Sequence, residues 1–327
     1  MIEDVRFEDG RVSFTLVLTT SACPLKGQIE DDCRRAVGAV DGVRDVQIAT
    51  TSRVRKPKDP TADRRALPGV AQVIAIGSGK GGVGKSTVSA NLAVALAATG
   101  SRVGLLDGDI YGPNLPRMLG VQRQPFTREG RIVPLEAHGI RFISMGLLVE
   151  PGEAVVWRGP MLHGAIKSFL NDVEWDGCDY LIVDLPPGTG DVQLSLIQQT
   201  VVTGAVVVST PSTVAIEDAV KAVAMFDKLQ VPVLGVIENM SWFACPSCHE
   251  RHDIFGHGTA QERALAMGLP FLGAIPLHPD VRIGGDSGAP VVASLPESPY
   301  ARELRRVAGA LAQRVSIQAL GAVGTPA

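Results

Sequence analysis

The chain has no apolar run of bilayer-spanning length, which excludes an integral membrane protein built of helices. Nor does it open on a basic, apolar leader. Its first residues, Met1-Ile2-Glu3-Asp4, are acidic, and the expectation is a cytoplasmic protein. Charge of one sign is lacking too: the formal net charge is −3, so nucleic-acid binding driven by bulk charge is not indicated. Cysteine is sparse, at five, an odd number in a chain read as leaderless. Such cysteines read as thiols or metal ligands rather than a disulfide framework. No internal repeat is visible. What is plentiful is apolar residue (45 %) and glycine (36 in 327 residues), a composition that suits a well-packed α/β core. The length fits one large domain plus a small one.

The richest segment is Ile76-Gly77-Ser78-Gly79-Lys80-Gly81-Gly82-Val83-Gly84-Lys85-Ser86-Thr87, which holds the pattern G-x-x-x-x-G-K-S from Gly79 to Ser86. An apolar strand, Val73–Ile76, precedes it and a helical stretch, Val88–Ala98, follows. That is the strand–loop–helix context a phosphate-binding loop requires. Glycines let backbone N–H groups curl around phosphates, and the helix N-terminus adds its positive end. Lys85 is expected to reach the β- and γ-phosphates and Ser86 to coordinate Mg²⁺.

Lys80 is a second lysine that an ordinary loop of this class does not need. With it, Gly79-Lys80-Gly81-Gly82-Val83-Gly84-Lys85-Ser86-Thr87 resembles the deviant Walker A ATPases, the group of MinD, ParA, nitrogenase iron protein and Mrp. The resemblance implies a homodimer in which Lys80 crosses to the partner's phosphates and stabilises transition-state charge.

Along the chain, residues 1–50 read as a small α+β domain: a strand over Val12–Thr19, a helix over Pro24–Val37 and a strand over Val43–Ala49. Residues 51–69 are basic and proline-bearing and read as a linker. From 70 to 315 strands and helices alternate. Strands are expected at Val73–Ile76, Val103–Leu106, Ile140–Ser144, Tyr180–Val183, Ala205–Ser209, Val233–Ile237 and Phe271–Ile275, with helices notably at 213–229 and 259–267. The fold class is therefore α/β, a P-loop NTPase whose mostly parallel sheet is covered on both faces. Ligands belong at the carboxyl ends of its strands. A surface helix is expected over Tyr300–Val315, then a frayed tail, 316–327.

Two further strand ends carry carboxylates. Val103–Asp109 presents Asp107 and Asp109, and Leu181-Ile182-Val183-Asp184 delivers Asp184 ahead of Pro186-Pro187-Gly188-Thr189-Gly190-Asp191. Asp184 is placed to hold Mg²⁺ through water, and the loop after it to sense the γ-phosphate. By the resemblance, Asp109 sits near the attacking water, Asp107 supports the outer shell of the metal, and Asn239 contacts adenine. No N-K-x-D guanine signature is found, so ATP is the expected nucleotide.

Just after Asn239 comes Cys245-Pro246-Ser247-Cys248-His249. C-x-x-C is half a metal site. A 4Fe–4S cluster wants four thiolates, and a two-fold axis would supply Cys245 and Cys248 twice. Zinc held by Cys245, Cys248, His249 and His252, haem attachment through C-x-x-C-H, and a dithiol redox pair are the competing readings. The D-x-P-P-G-T-G-D string and the C-x-x-C resemble Mrp-type iron–sulfur cluster carriers over residues 70–295, including a glycine-rich loop, Gly284–Pro290. That family holds a bridging cluster on this cysteine pair. Residues 1–50 resemble in part the small N-terminal domain of iron–sulfur assembly factors, without its usual opening helix. There Cys23, at a loop–helix junction, is a candidate functional thiol, whereas Cys33 and Cys178 read as packing residues and His278 as surface.

The resemblance implies a slow ATPase and cluster carrier whose partners are a second copy, assembly factors and apo iron–sulfur proteins. The alternatives are a MinD/ParA-type positioning switch and a zinc or nickel metallochaperone. A MinD-type membrane anchor would be a basic amphipathic helix, yet Ser316–Ala327 carries no charged side chain. Neither membrane nor nucleic acid is an expected partner.

Overall fold

The computed structural model describes residues 2–54, 64–109, 112–147, 159–248 and 250–321. Residues 55–63 of the expected linker, His249 of the zinc reading and the end of the expected tail lie outside the described residues.

The N-terminal unit is a three-stranded sheet, β1 (Ile2–Glu8), β2 (Arg11–Leu18) and β3 (Asp45–Ser52), with α1 (Lys26–Gly38) joining the parallel pair β2 and β3. Strand β1 has no counterpart in the sequence reading. Asp4 sits at φ 56° and breaks the register with β2 between Glu3 and Arg6, so no period-two pattern survives to be read.

The large sheet begins with β4 (Val70–Gly77), α2 (Lys85–Ala97), β5 (Val103–Asp107) and the short α3 (Leu115–Met118). A small hairpin, β6 (Phe126–Arg128) and β7 (Arg131–Val133), leads to β8 (Leu135–Ala137) and β9 (Ile140–Ser144). Then follow α4 (Gly159–Asn171), β10 (Cys178–Asp184), α5 (Asp191–Gln199), β11 (Gly204–Ser209) and α6 (Thr213–Lys228). The chain closes with β12 (Val233–Ala244), β13 (Arg251–His252), α7 (Thr259–Ala266), β14 (Phe271–Leu277), α8 (Pro279–Ser287), α9 (Val291–Ser294) and α10 (Pro299–Gly321). The strand order is β13-β12-β11-β4-β10-β5-β9-β8, with β14 also beside β12. All pairs between β14 and β9 are parallel; β8 and β13 add antiparallel edges.

Period-two alternation explains the two faces. Ile74 and Ile76 point to one side with Ile182 and Val208, into a core closed by α2 and α10. Val73 and Ala75 point to the other with Val183 and Val207, against α4, α5 and α6. A sheet buried on both faces needs the continuous apolar strands this sequence has.

Three expectations are corrected. Helix α10 continues to Gly321 because Leu311, Val315 and Ala319 repeat every four residues and are buried, so the frayed tail does not begin at 316. Gly284 and Gly285 lie inside α8 rather than in a loop, with Gly288 at φ 76° as its C-cap. Strand β12 runs on past Ile237 to Ala244, which carries the cysteine pair to its tip.

Candidate functional site

Parallel register sets Ser144, Asp107, Asp184 and Ile76 in one row across the carboxyl edge of β9, β5, β10 and β4. The phosphate loop springs from β4 at that row and feeds α2, whose N-cap is Gly84 at φ 80°. A Cβ at Gly84 would fall 2.2 Å from Asn239 Nδ2, and one at Gly79 2.0 Å from the Asp218 backbone of α6. Gly79 is therefore fixed by close approach to a helix, Gly84 by both conformation and contact.

Behind the loop, three donors converge on Asp184, which is fully buried. Lys85 Nζ lies 2.8 Å from Oδ2, Ser86 Oγ donates to Oδ2 at 2.6 Å, and Ser89 Oγ donates to Oδ1 at 2.6 Å. Lys85 is thus paired with Asp184 in this structure rather than extended toward the phosphate position. Ser89 was not singled out from the sequence, although it falls on the same face of α2 one turn after Ser86. Asp107, also buried, accepts from Ser144 Oγ at 2.8 Å and from the Asp109 N–H at 3.1 Å. Burial, then the nearby Asp184 charge, pushes its pKa from the ordinary 3.8 up to about 7. Asp109 accepts from the Gly112 N–H at 3.2 Å. Over these residues lies a cleft of about 280 Å³ lined by Lys80, the loop from Gly81 to Thr87, Asp109 and Pro187. The chain thus brings Gly79, Lys80, Gly81, Gly82, Val83, Gly84, Lys85, Ser86, Thr87, Asp109 and Asp184 to one place.

Asn239 does not face this cleft openly. It is buried beneath the loop, and its Nδ2 donates to the Val83 carbonyl at 2.8 Å. Six residues on, just past the end of β12, Cys245 opens the turn of a hairpin closed by β13, with Phe243 opposite His252 and Ala244 opposite Arg251. The Cys245 N–H donates to the Glu250 carbonyl at 2.9 Å. Backbone N–H groups of Cys248 and then Ser247 point at the Cys245 sulfur and lower its pKa below the ordinary thiol value. Cys245 is half-buried and Cys248 exposed. Among the described residues no group of three or more His, Cys, Asp and Glu side chains is gathered for a metal ion.

Beside the hairpin is a cavity of about 710 Å³ walled by Trp242, Cys245, Leu277, His278, Tyr300 and Arg302. His278 is not a surface residue. Its side chain is 9 % exposed, its Nδ1 accepts from the Asp280 N–H to cap α8, and its ring stacks on Tyr300 with centroids 3.6 Å apart.

The other cysteines stand elsewhere. Cys178 is buried, its sulfur accepting from Arg141 Nη2 at 3.1 Å, with burial raising its pKa. Cys33 lies on the half-buried stripe of α1 with Ile29 and Val37. Cys23 follows Thr20–Ala22, which docks on the amino edge of the large sheet. Tyr180 Oη donates to Thr20 Oγ1 at 2.7 Å, and Ser21 hydrogen-bonds Ser101.

A doubly covered parallel sheet with this loop, lysine and strand-end aspartate defines a P-loop NTPase of the MinD/ParA kind. Residues 69–312 match the family model of the NUBPL iron-transfer P-loop NTPase, and residues 1–49 that of the iron-sulfur cluster assembly protein. The chain belongs to this iron-transfer P-loop NTPase family. The iron-sulfur cluster carrier protein of Deinococcus radiodurans is 53 % identical over 98 % of this chain and 90 % of its own length. The iron-sulfur cluster transfer protein NUBPL of Dictyostelium discoideum is 42 % identical over 80 % and 81 %. Among solved structures, an ADP-bound nucleotide-binding protein from Archaeoglobus fulgidus matches with TM-score 0.61 and 36 % identity, covering 71 % of this chain and 91 % of that one. The cell-division ATPase MinD of Pyrococcus furiosus matches with TM-score 0.56 and 26 % identity over 74 % and 98 %. Among the described residues no helix is long and apolar enough to cross a membrane.

Proposed function

We propose that this P-loop NTPase is a slow ATPase that carries a 4Fe–4S cluster between two copies of itself and delivers it to apo iron–sulfur proteins. The observation that carries the reading is that one strand, β12, joins the two sites. Asn239 braces the phosphate loop, and Cys245 follows six residues later, directly after the end of the same strand. A nucleotide-driven change has a short route to the thiols. The names of the relatives support the cargo.

The triphosphate would sit on the loop N–H groups at the α2 N-terminus, where helix dipole and backbone donors favour an anion. It competes with Asp184 for Lys85, releasing a carboxylate next to the Ser86 hydroxyl. That hard-oxygen donor set fits Mg²⁺, which Ser86 and Asp184 would hold with Asp107 behind them. When bound, the ion neutralises charge on the phosphate oxygens. Asp109 would orient the attacking water, and Lys80 would act in trans on the phosphates of a second copy. The Asn239 amide nitrogen is already engaged, so a contact to adenine would use its carbonyl oxygen as acceptor for the base's amino group. Cys245 and Cys248 from each copy would supply four thiolates to the cluster, which is cargo for the recipient rather than a resident group.

The deciding experiment is iron and sulfide content with absorbance of anaerobically purified protein, wild type against Cys245→Ala. Iron and sulfide near two atoms of each per chain, lost in the variant, fit one cluster shared by a pair. No iron as purified and no cluster after reconstitution overturn the reading; a single zinc per chain would replace it with the metallochaperone.

A further inference from the structure

Between the loop-bracing Asn239 and the cysteine turn lies a hydrogen-bonded group that nucleotide binding and cargo ligation leave unexplained. Glu238 is fully buried on β12. Its Oε1 accepts from Ser241 Oγ at 2.5 Å and the Gly258 N–H at 2.9 Å, and its Oε2 accepts from the Ala260 N–H at 2.8 Å. Ser241 Oγ also lies 2.8 Å from His257 Nδ1. A hydroxyl has one hydrogen, and here it goes to the carboxylate. His257 must then carry a hydrogen on Nδ1 and donate it to Ser241, and the same nitrogen lies 3.7 Å from Glu238 Oε1.

This chain of donors ties together the two stems of the cysteine hairpin. Ser241 is on the outgoing stem, four residues before Cys245. His257 is on the return, five residues after His252, and packs edge-on to Trp242 at 6.0 Å; the Arg251 guanidinium lies over the Trp242 ring, 4.9 Å from its centroid. The anchor, Glu238, neighbours Asn239. Between them and Ser241 stands Met240 at φ 56°, a left-handed conformation rare for a residue with a long side chain, where β12 also breaks register with β14. The strand is thus two rigid pieces with a joint. The Glu238 group spans that joint.

We propose that Ser241 and His257, anchored on Glu238, are positioning residues for the cysteine pair that hold both hairpin stems to the strand segment bracing the phosphate loop, so that nucleotide binding is felt at the thiols. The inference rests on the carrier reading for its purpose but not for its test, which needs no iron. The rate of alkylation of Cys245 and Cys248 by iodoacetamide is measured by mass spectrometry on full-length, metal-free protein, with and without a non-hydrolysable ATP analogue and Mg²⁺. The wild type is expected to change rate by about fivefold or more on nucleotide binding, the low end of an ordinary coupling between sites. Ser241→Ala and His257→Phe should each reduce that response to less than about twofold while keeping analogue affinity within about threefold. His257→Asn, whose amide N–H reproduces the Nδ1 donor, should restore it. A wild type that does not respond, or variants that respond in full, overturn the proposal. Should the variants fail to fold, the ¹⁵N shifts of the wild-type His257 ring still decide: a hydrogen on Nδ1 is expected, and a ring whose Nδ1 carries none overturns it. Absence of iron in the reconstitution experiment would remove the cargo and leave these outcomes untouched.

Discussion

Two buried carboxylates, Asp107 and Asp184, share one lysine at the end of the central strands. Because folding raises the Asp107 pKa to about 7, its favourable contribution belongs to the protonated form. That contribution is complete below the unfolded value near 3.8 and is lost as pH rises through 7. Nucleotide-free protein should therefore lose about 1 kcal/mol between pH 6 and pH 8 from this group alone. Urea unfolding at the two pH values checks this, and Asp107→Asn should flatten the difference. Lys85→Ala removes the compensating charge from Asp184, which is fully buried, and should cost about 3–5 kcal/mol in the same assay and abolish nucleotide binding. Adding Asp184→Asn to Lys85→Ala should recover stability but not binding, because the buried charge is then gone while the phosphate ligand is still missing. Lys85, Ser86 and Asp184 were all legible from spacing, since a motif states its own chemistry. Ser89, Ser144 and the Glu238–Ser241–His257 group were not, because their roles arise from contacts between elements far apart in the chain.

At the scale of elements, strand continuity decided what the sequence could and could not show. The central strands are buried on both faces and read as apolar runs whose ends fell within a few residues of those seen. β1 and the end of β12 each contain a residue at positive φ, Asp4 and Met240, and a register break erases the alternation on which a reading depends. Helix packing imposes a similar hidden constraint on the loop. Gly79 has no room for a Cβ against the α6 backbone, whereas Gly82, at φ 81°, has open space around it. Gly79→Ala should push the loop off α6 and lower ATP affinity by about tenfold or more. Gly82→Ala should cost only about 1–2 kcal/mol of backbone strain and weaken ATP binding far less. Calorimetric titration of the two variants separates them; equal losses would mean that the α6 contact is not what sets the glycine at 79.

For the whole molecule, the informative fact is which edge of the sheet each cysteine occupies. Thr20–Ala22 docks at the amino edge, on Tyr180 and Ser101, with Ala22 entering the core under α10, so Cys23 belongs to that edge. Cys245 and Cys248 extend beyond the carboxyl edge. The seven residues of β10 alone separate the edges by about 20 Å at the usual rise per residue. A disulfide requires Cα atoms within about 7 Å, so Cys23 has no route to either cysteine of its own chain while the two units stay docked. Mild oxidation of metal-free protein should therefore yield no Cys23–Cys245 or Cys23–Cys248 bond within a chain. If two copies meet across the cysteine hairpins, the same treatment should yield a cross-linked pair on a non-reducing gel that Cys245→Ser with Cys248→Ser abolishes and Cys23→Ser does not. Peptide mapping reads both results at once. An intrachain bond to Cys23 would require the N-terminal unit to leave the amino edge. A pair that survives loss of both hairpin cysteines would place the contact between copies somewhere other than the edge where β12 carries its thiols.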